Sequence, residues 1–388
     1  MRNRSAFSVA IAVLFFPFLF VGGAAQQSTT QNSVETLKVQ AREVILPVTV
    51  RDKHGALVTN LTAKDFALTD NGKPQVIKSF TRESNLPFLV GLLCDTSRSM
   101  SRAMDTERKA AEKFVDLMLP ADPANAKQGD QAFLIHFDRE VELLEDFTNS
   151  RAKLDNDLQQ MGPTRAEQNE SSQGPETNDG GGGYGRQDSG MRRGGTTLYD
   201  AIYLASDDLM KPKSGRKALV VFSDGEDRGS KESLDDAIDA AERANTSIYT
   251  IYFKGEGGDR GMGGGFPGGG RHGGMGGGWP GGGGGYPGGG YPGGGRRGGG
   301  GGQPQVDGKK IMAEIATRTG GRPFEAKKVD DLAGIYNQIA EELRGQYLLT
   351  YSPEPFAADG SFHKVALTTN KKDLTVVTRE GYYAPEAQ

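Results

Sequence analysis

Apolar and polar residues follow different periods in different parts of the chain, and each period predicts a different element. Every second residue from 44 to 50 is valine or leucine, which is typical of a strand with one buried face. Two more strands are predicted at 65–69 and 75–80, with a turn at 70–73 between them. Because about forty residues are too few for a secure core, we expect this β unit to need strands from elsewhere in the chain.

From residue 87 onwards, strand patterns alternate with helical ones, which is typical of a parallel sheet covered by helices. The strand at 88–94 is apolar throughout, as expected for a strand buried on both faces. Further strands are predicted at 131–137, 141–147, 218–222, 247–253 and 323–325, and helices at 103–119, 151–161, 198–210, 232–244, 309–317 and 329–343. The predicted fold class is therefore α/β, with a doubly wound and mostly parallel sheet.

Three strands are predicted after this region, at 346–351, 362–369 and 374–378. We expect these terminal strands to pair with the strands that precede Pro87, which alone are too few for a stable core. The sequence then predicts a small flanking β domain built from N- and C-terminal strands. Its two segments are 37–84 and 346–388, and the α/β domain between them covers 87–343.

The N-terminal segment has the pattern of a secretory signal peptide at 1–25, because two arginines precede an apolar run at 7–21 and small residues follow it. A retained membrane anchor is the alternative, although the run is short for a span and contains Pro17. Residues 26–36 are polar and predicted to be disordered. We expect a secreted protein, or one of the periplasm or cell envelope, with membrane contact only if the signal segment is retained.

Composition changes this picture mainly through glycine, of which the chain has 57, most of them in two tracts. The tracts at 162–195 and 255–302 predict flexible insertions in the α/β domain. The second tract repeats aromatic-proline steps, and is either a solvated spacer or a mobile collar that contacts an acidic or glycan partner. A net charge of −4, together with the predicted export, argues against nucleic acid as a partner.

Candidate chemistry lies in the loop that follows the first apolar strand of the α/β region. Asp95, Ser97 and Ser99 alternate along this loop, and the spacing can aim one carboxylate and two hydroxyls at a common point. Two more segments carry similar groups, since Thr196 follows two glycines just before a helix and Asp224 ends a buried strand. Ligands of open α/β sheets bind beyond the carboxyl ends of the strands. Hard oxygen ligands of this kind suit Mg²⁺, Ca²⁺ or Mn²⁺ better than zinc.

The three segments together resemble the metal-ion-dependent adhesion site of von Willebrand factor type A (VWA) domains. They read Asp-x-Ser-x-Ser, then Gly-Gly-Thr before a helix, then a strand ending in Asp-Gly. The chain as a whole is similar to the VWA-related exported proteins of Acidobacteria, through Asp65-Phe66, Asn71-Gly72-Lys73 and the tail at 379–383. The resemblance covers roughly residues 87–343, and the flanking β segments match less specifically.

The resemblance implies a metal site and a role for each of its residues. The implied ligands are Asp95, Ser97, Ser99, Thr196 and Asp224. The two serines would ligate the metal directly, and the two aspartates directly or through water. The threonine would engage or release between states, with Thr197 as an alternative hydroxyl. The implied cofactor is Mg²⁺, or Ca²⁺ or Mn²⁺, and the opposing interpretation is a VWA fold that no longer binds metal.

The implied function is binding rather than catalysis, with a protein partner offering an Asp or Glu carboxylate to the metal. A glycan or another envelope component is a further candidate partner. The alternative function is a scaffold in envelope assembly, whose VWA face docks an internal partner, and an accessory subunit of an enzyme is the third class. The sequence has no nucleophile with a matching base, no phosphate loop and no zinc motif, so we predict no catalytic residue and no enzyme.

Overall fold

The structure, a computed structural model, describes residues 43–82, 86–119, 129–165, 168, 195–254 and 307–386. The predicted signal peptide at 1–25 and the polar stretch at 26–36 lie outside these residues. Most of the two glycine-rich tracts, predicted at 162–195 and 255–302, also lies outside them.

The strands of the described residues are, in chain order, β1 (Val44–Asp52), β2 (Phe66–Asp70), β3 (Lys73–Gln75), β4 (Ile77–Thr81), β5 (Phe88–Asp95), β6 (Gln131–Phe137), β7 (Val141–Thr148), β8 (Arg216–Ser223), β9 (Thr246–Phe253), β10 (Pro323–Ala326), β11 (Tyr347–Tyr351), β12 (Phe362–Thr369), β13 (Leu374–Val377) and β14 (Gly381–Tyr383). The helices are α1 (Met104–Met118), α2 (Arg151–Gln160), α3 (Leu198–Leu204), α4 (Leu234–Arg243), α5 (Gly308–Arg318) and α6 (Asp331–Gly345). A π-helical turn at Ala205–Met210 extends α3. In this part of the chain, no helix is both long and apolar enough to cross a membrane.

Six strands form the central sheet, in the order β10-β9-β8-β5-β6-β7. Neighbouring strands are parallel throughout, except that β7 runs antiparallel to β6 at one edge. Every residue of β5 is buried, because β5 lies between β8 and β6 and both of its faces are covered.

Helices cover both faces of this sheet, and the alternation along β5 separates them. Val90 and Leu92 belong to a core that β5 shares with α1, α2 and α6. Leu89 and Leu93 belong to a second core, shared with α3, α4 and α5. The prediction of an α/β fold with a doubly wound, mostly parallel sheet is therefore confirmed.

Two four-stranded sheets form the small β domain, in the orders β13-β1-β11-β4 and β14-β12-β2-β3. β1 pairs with β11 and β13, and β2 pairs with β12, all antiparallel. The alternating residues Leu46, Val48 and Val50 are at most 1% exposed and pack in the same core as Tyr347 and Leu349. Strands from both ends of the chain thus build one core, as the fold-class prediction required.

One predicted strand is two strands in the structure. The alternating pattern predicted a continuous strand at 75–80, but β3 ends at Gln75 and β4 begins at Ile77. β3 pairs with β2 in one sheet, whereas β4 pairs with β11 in the other, and Val76 between them is 82% exposed. Alternation could not reveal the break, because it indicates which residues face inward but not which sheet each of them joins.

Candidate metal centre

The predicted carboxylate ligands lie at the carboxyl ends of β5 and β8, two neighbouring strands of the central sheet. Cys94 of β5 is paired in register with Phe222 of β8. Asp95 and Ser223 follow these two residues and therefore lie side by side. Asp95 is 1% exposed, and the hydroxyl of Ser223 donates a hydrogen bond of 2.6 Å to its Oδ2. Because Asp224 follows Ser223 directly, both predicted carboxylate ligands lie at these strand ends.

The loop after β5 brings the two predicted serine ligands together. The backbone N–H of Ser97 donates to Asp95 Oδ1 at 3.0 Å, which closes the loop onto the carboxylate. The hydroxyl oxygens of Ser97 and Ser99 lie 3.1 Å apart. A 3₁₀ turn at Arg98–Met100 then leads to α1. The side chain of Met100 is only 1% exposed and packs in the core, which holds this turn in place. The two serine hydroxyls are therefore held close to each other within a short, hydrogen-bonded turn.

The carboxylates of Asp95 and Asp224 interact electrostatically. Burial, and after it the charge of Asp224, raise the pKa of Asp95 to about 7. Hydrogen bonds from Ser223 and Ser97 act in the opposite direction and favour the ionised form. Two neighbouring carboxylates of which one is buried would ionise more readily if a cation lay between them.

Thr196 and Thr197 precede α3, and their backbones are fixed by different neighbours. The carbonyl oxygen of Thr196, a residue that is 7% exposed, accepts hydrogen bonds from the N–H groups of Arg228 and Gly229 at 3.0 and 3.1 Å. The hydroxyl of Thr197 donates to the carbonyl oxygen of Asp138 at 3.2 Å. Since the Thr197 hydroxyl is used inside the fold, this geometry favours Thr196 over Thr197 as the candidate ligand.

The loop that carries Asp224 packs closely against the start of α5. The N–H of Glu226 donates to Asp224 Oδ1 at 3.0 Å, and Gly225 has a positive φ of 72°. A Cβ atom placed on Gly308 would lie 2.1 Å from the carbonyl oxygen of Asp224, which is far closer than atoms can approach. Only glycine therefore fits at position 308. The close contact with Gly308, the first residue of α5, determines where the backbone of the Asp224 loop lies.

Two other aspartates near the site accept hydrogen bonds across the gap between α3 and the loop after β8. Asp200 Oδ1 accepts hydrogen bonds from the N–H groups of Lys231 and Glu232, both at 2.9 Å. Asp227 Oδ2 accepts from the N–H of Tyr199 at 3.1 Å. These aspartates connect the loop after β8 to α3, which is a structural use of their charge. In the described ranges, no group of three or more His, Cys, Asp or Glu side chains is arranged to hold a metal ion.

Comparison with known proteins finds similar folds among the solved structures but no related sequence. No protein-family model and no curated protein sequence matches the chain. The structure of proximal thread matrix protein 1 from the mussel byssus has a TM-score of 0.42 and 12% identity, and covers 71% of this chain and 51% of that one. A second structure of it, with a zinc-occupied MIDAS motif, has a TM-score of 0.39 and 11% identity, and covers 67% of this chain and 48% of that one. This chain thus spans about half the length of the mussel protein.

Two further matches are single domains of the predicted type. The vWF domain of the type V pili tip protein Mfa5 from Porphyromonas gingivalis has a TM-score of 0.40 and 13% identity, and covers 67% of this chain and 95% of that one. The SpRpn10 VWA domain has a TM-score of 0.35 and 12% identity, with 65% and 95% coverage. The chain is similar in fold to these two domains. At such identities the likeness concerns the fold alone, and the relation to exported proteins of Acidobacteria stays a prediction.

Sequence reasoning missed two buried polar residues beside the candidate metal centre. Ser223, which lies between the predicted strand at 218–222 and Asp224, was given no role, although a serine at the end of an otherwise apolar strand is a usable signal. Asp138 lies in the short connection between the strands predicted at 131–137 and 141–147, and it was given no role. It is in fact 1% exposed and accepts hydrogen bonds from several loops. An aspartate in a turn is ordinary, so nothing in the sequence distinguished it.

Proposed function

We propose that this protein binds a protein partner through a divalent metal ion held at the VWA site. The ligands would be Asp95, Ser97, Ser99, Thr196 and Asp224. The observation that carries the proposal is the pair of neighbouring carboxylates, Asp95 and Asp224, of which the first is buried beside two serine hydroxyls. A pair of neighbouring carboxylates of which one is buried is costly by itself and is stabilised by a cation.

The donor set fits a hard divalent cation. Two carboxylates balance a charge of two, and hydroxyl oxygens supply the neutral ligands that Mg²⁺, Ca²⁺ or Mn²⁺ accept. With no sulfur or nitrogen among the proposed ligands, these ions suit the site better than zinc does. When bound, the ion would offer an open coordination position to an outside oxygen ligand. The proposed ion is therefore Mg²⁺, Ca²⁺ or Mn²⁺.

The chain's own residues prepare this donor set. The hydroxyl of Ser223 and the N–H of Ser97 each donate to one oxygen of Asp95, which fixes the orientation of the carboxylate. The N–H of Glu226 does the same for Asp224. Because these groups are already ordered, less entropy is lost when a ligand is bound.

The partner that fits the open position is a protein that offers an Asp or Glu carboxylate, and a glycan or envelope component is a further candidate. We place the protein outside the cytoplasm, secreted or in the periplasm or envelope, on the strength of the signal pattern at 1–25. The proposed domain boundaries remain 37–84, 87–343 and 346–388. We assign no catalytic residue, and the proposed activity is binding.

Calorimetry on the purified protein tests the metal site. We expect uptake of Mg²⁺ or Mn²⁺ at one site, its loss in Asp95→Ala, and a weaker effect in Ser97→Ala, because losing a carboxylate removes charge as well as a ligand. Asp105→Ala is the matched control, since the Asp105 side chain is 86% exposed on the nearby helix α1. Absence of Mg²⁺, Ca²⁺ and Mn²⁺ uptake by the unsubstituted protein contradicts the proposal.

A capture experiment tests the partner. The purified protein is used as bait in an extract of the cell envelope, with and without a chelator, beside the Asp95→Ala variant. A partner captured only with divalent metal and only by the unsubstituted protein supports the proposal. Stoichiometric capture that survives the chelator and Asp95→Ala instead supports the envelope scaffold, in which docking does not use the metal.

A further inference from the structure

Asp138, which is outside the proposed ligand set, lies where four segments of the chain meet. It follows β6 directly and is 1% exposed. Its carboxylate accepts hydrogen bonds from the N–H of Thr164 at 2.7 Å, from the Thr164 hydroxyl, from the N–H of Arg139, and from the Thr96 hydroxyl at 3.5 Å. Its carbonyl oxygen accepts from the N–H and hydroxyl of Thr197 at 2.7 and 3.2 Å.

These hydrogen bonds join the two site loops to each other. Thr96 lies between the proposed ligands Asp95 and Ser97, and its N–H also donates to Phe137, the residue before Asp138, at 2.9 Å. Thr197 follows the proposed ligand Thr196. One residue therefore touches both loops that carry hydroxyl ligands, and it does so through a side chain on one side and a backbone carbonyl on the other.

The same residue holds the chain at both ends of a long connection. Thr164 comes shortly after α2, and Thr197 comes directly before α3, so Asp138 binds the chain after one helix and before the next. Both ends are thus held by the residue that directly follows β6. Through Thr197, Asp138 thus helps to fix the position of Thr196 relative to β6.

We infer that Asp138 is a positioning residue of the metal site, which holds Thr196 at the distance from the Asp95–Ser99 loop that metal binding requires. This inference rests on the proposed function. Asp138 donates no oxygen to the metal itself. It acts on Thr197 through its carbonyl oxygen and on Thr96 through its carboxylate.

A purely structural role would predict a different outcome, because it would lower stability without changing metal affinity in the folded protein. Asp138→Asn separates the two roles, since it keeps the size of the side chain but turns one oxygen into an N–H donor that faces Thr164 or Arg139. Thr164→Val and Thr164→Ser form a second, matched pair. Valine removes the hydroxyl that donates to Asp138, and serine keeps it.

The experiment combines Mn²⁺ calorimetry, thermal unfolding and amide hydrogen exchange on the full chain. At a temperature where every variant is folded, we expect Asp138→Asn to weaken Mn²⁺ affinity about 10-fold to 100-fold, as loss of a residue that orients metal ligands does. Thr164→Val should weaken it less, and Thr164→Ser should restore it. Asp146→Asn is the control, because Asp146 on β7 accepts only from the following N–H, at 2.6 Å, and is exposed. Without metal, the amides of Thr164 and Thr197 should exchange faster in Asp138→Asn.

The outcomes separate this inference from the proposed function. If the unsubstituted protein takes up Mn²⁺ and Asp138→Asn does so with equal affinity, Asp138 does not position the site and the inference is wrong. If the unsubstituted protein takes up no metal, the proposed function fails, and the exchange rates still decide whether Asp138 holds the two loops. Unchanged exchange at both Thr164 and Thr197 overturns the inference in either case.

Discussion

The hydroxyl of Ser223 donates a 2.6 Å hydrogen bond to Oδ2 of Asp95, although the two residues come from different strands, β8 and β5. Ser223 thereby connects the two proposed carboxylate ligands, because its side chain orients Asp95 and because Asp224 is the next residue in the chain. Its hydrogen bond also lowers the pKa of Asp95, against the larger effects of burial and of Asp224. One hydroxyl thus favours both the geometry and the ionisation that metal binding needs.

Replacing this serine should weaken metal binding without removing a ligand. In Ser223→Ala, the pKa of Asp95 rises further and its carboxylate loses a fixed orientation, so we expect about 10-fold weaker Mg²⁺ or Mn²⁺ affinity at pH 7 by calorimetry. Ser150→Ala is a suitable control, since Ser150 lies before α2 and its side chain makes no capping hydrogen bond. Equal affinities of Ser223→Ala and the unsubstituted protein would show that the hydrogen bond has no part in the site.

Stability and metal affinity should depend on pH in opposite directions. The pKa of Asp95 is raised from 3.8 to about 7 in the folded protein, first by burial and then by Asp224. The folded state therefore holds a proton that the unfolded chain releases between these values. The stabilising contribution of Asp95 is complete below pH 3.8 and is lost as the pH rises through about 7. It amounts to a few kcal/mol by the usual conversion.

Thermal unfolding in a chelator measures this loss. We expect the difference in stability between Asp95→Asn and the unsubstituted protein to grow in favour of the variant from pH 5 to pH 8, because asparagine stays neutral. Metal affinity should instead increase over the same interval, since metal binding displaces the proton. A stability difference that is constant across this range would mean that Asp95 titrates normally.

The sequence was sufficient for the sheet, and it brought the proposed ligands to notice for local reasons, although the ligand set stays a prediction. The apolar strand ending at Asp95 and the spacing of Ser97 and Ser99 are both visible in a short stretch of residues. Asp138 could not be found in this way, because its partners Thr164 and Thr96 are distant in sequence and meet it only after folding. The division of the strand at 75–80 was missed for the same reason, since it depends on which sheet each half joins.

A buried acid beneath the site offers a test of charge in the core. Glu107 of α1 is 1% exposed, and burial is the main cause that raises its pKa well above the ordinary value. Its Oε1 has no hydrogen-bond partner in the structure, as expected for a neutral carboxyl. Cys94, the only cysteine of the sequence, is its neighbour and is also buried.

If Glu107 is neutral in the folded protein, its replacement by glutamine should be tolerated. We expect Glu107→Gln to change the free energy of unfolding by less than about 1 kcal/mol at pH 7, as other substitutions of similar volume do. Glu107→Ala leaves a cavity and should cost about 2 kcal/mol or more. Denaturant unfolding measures both. A large loss of stability in the glutamine variant would mean that an ionised carboxylate is needed there.

The contact between Gly308 and the Asp224 loop predicts that a single methyl group, placed outside the ligand set, impairs the site. A Cβ at position 308 would lie 2.1 Å from the Asp224 carbonyl oxygen and 3.0 Å from the carbonyl carbon of Gly225, and backbone atoms cannot yield as a flexible side chain does. Gly308→Ala should therefore displace the Asp224 loop, with weaker metal affinity and lower stability.

Gly334→Ala is the matched control, because that glycine lies within α6 and a Cβ there would meet nothing within 4 Å. Alanine at 334 should raise stability by about 0.5–1 kcal/mol, since it favours the helix, and leave metal affinity unchanged. Calorimetry and thermal unfolding of the two variants compare the same substitution with and without the contact, and equal metal affinity in both would separate Gly308 from the site.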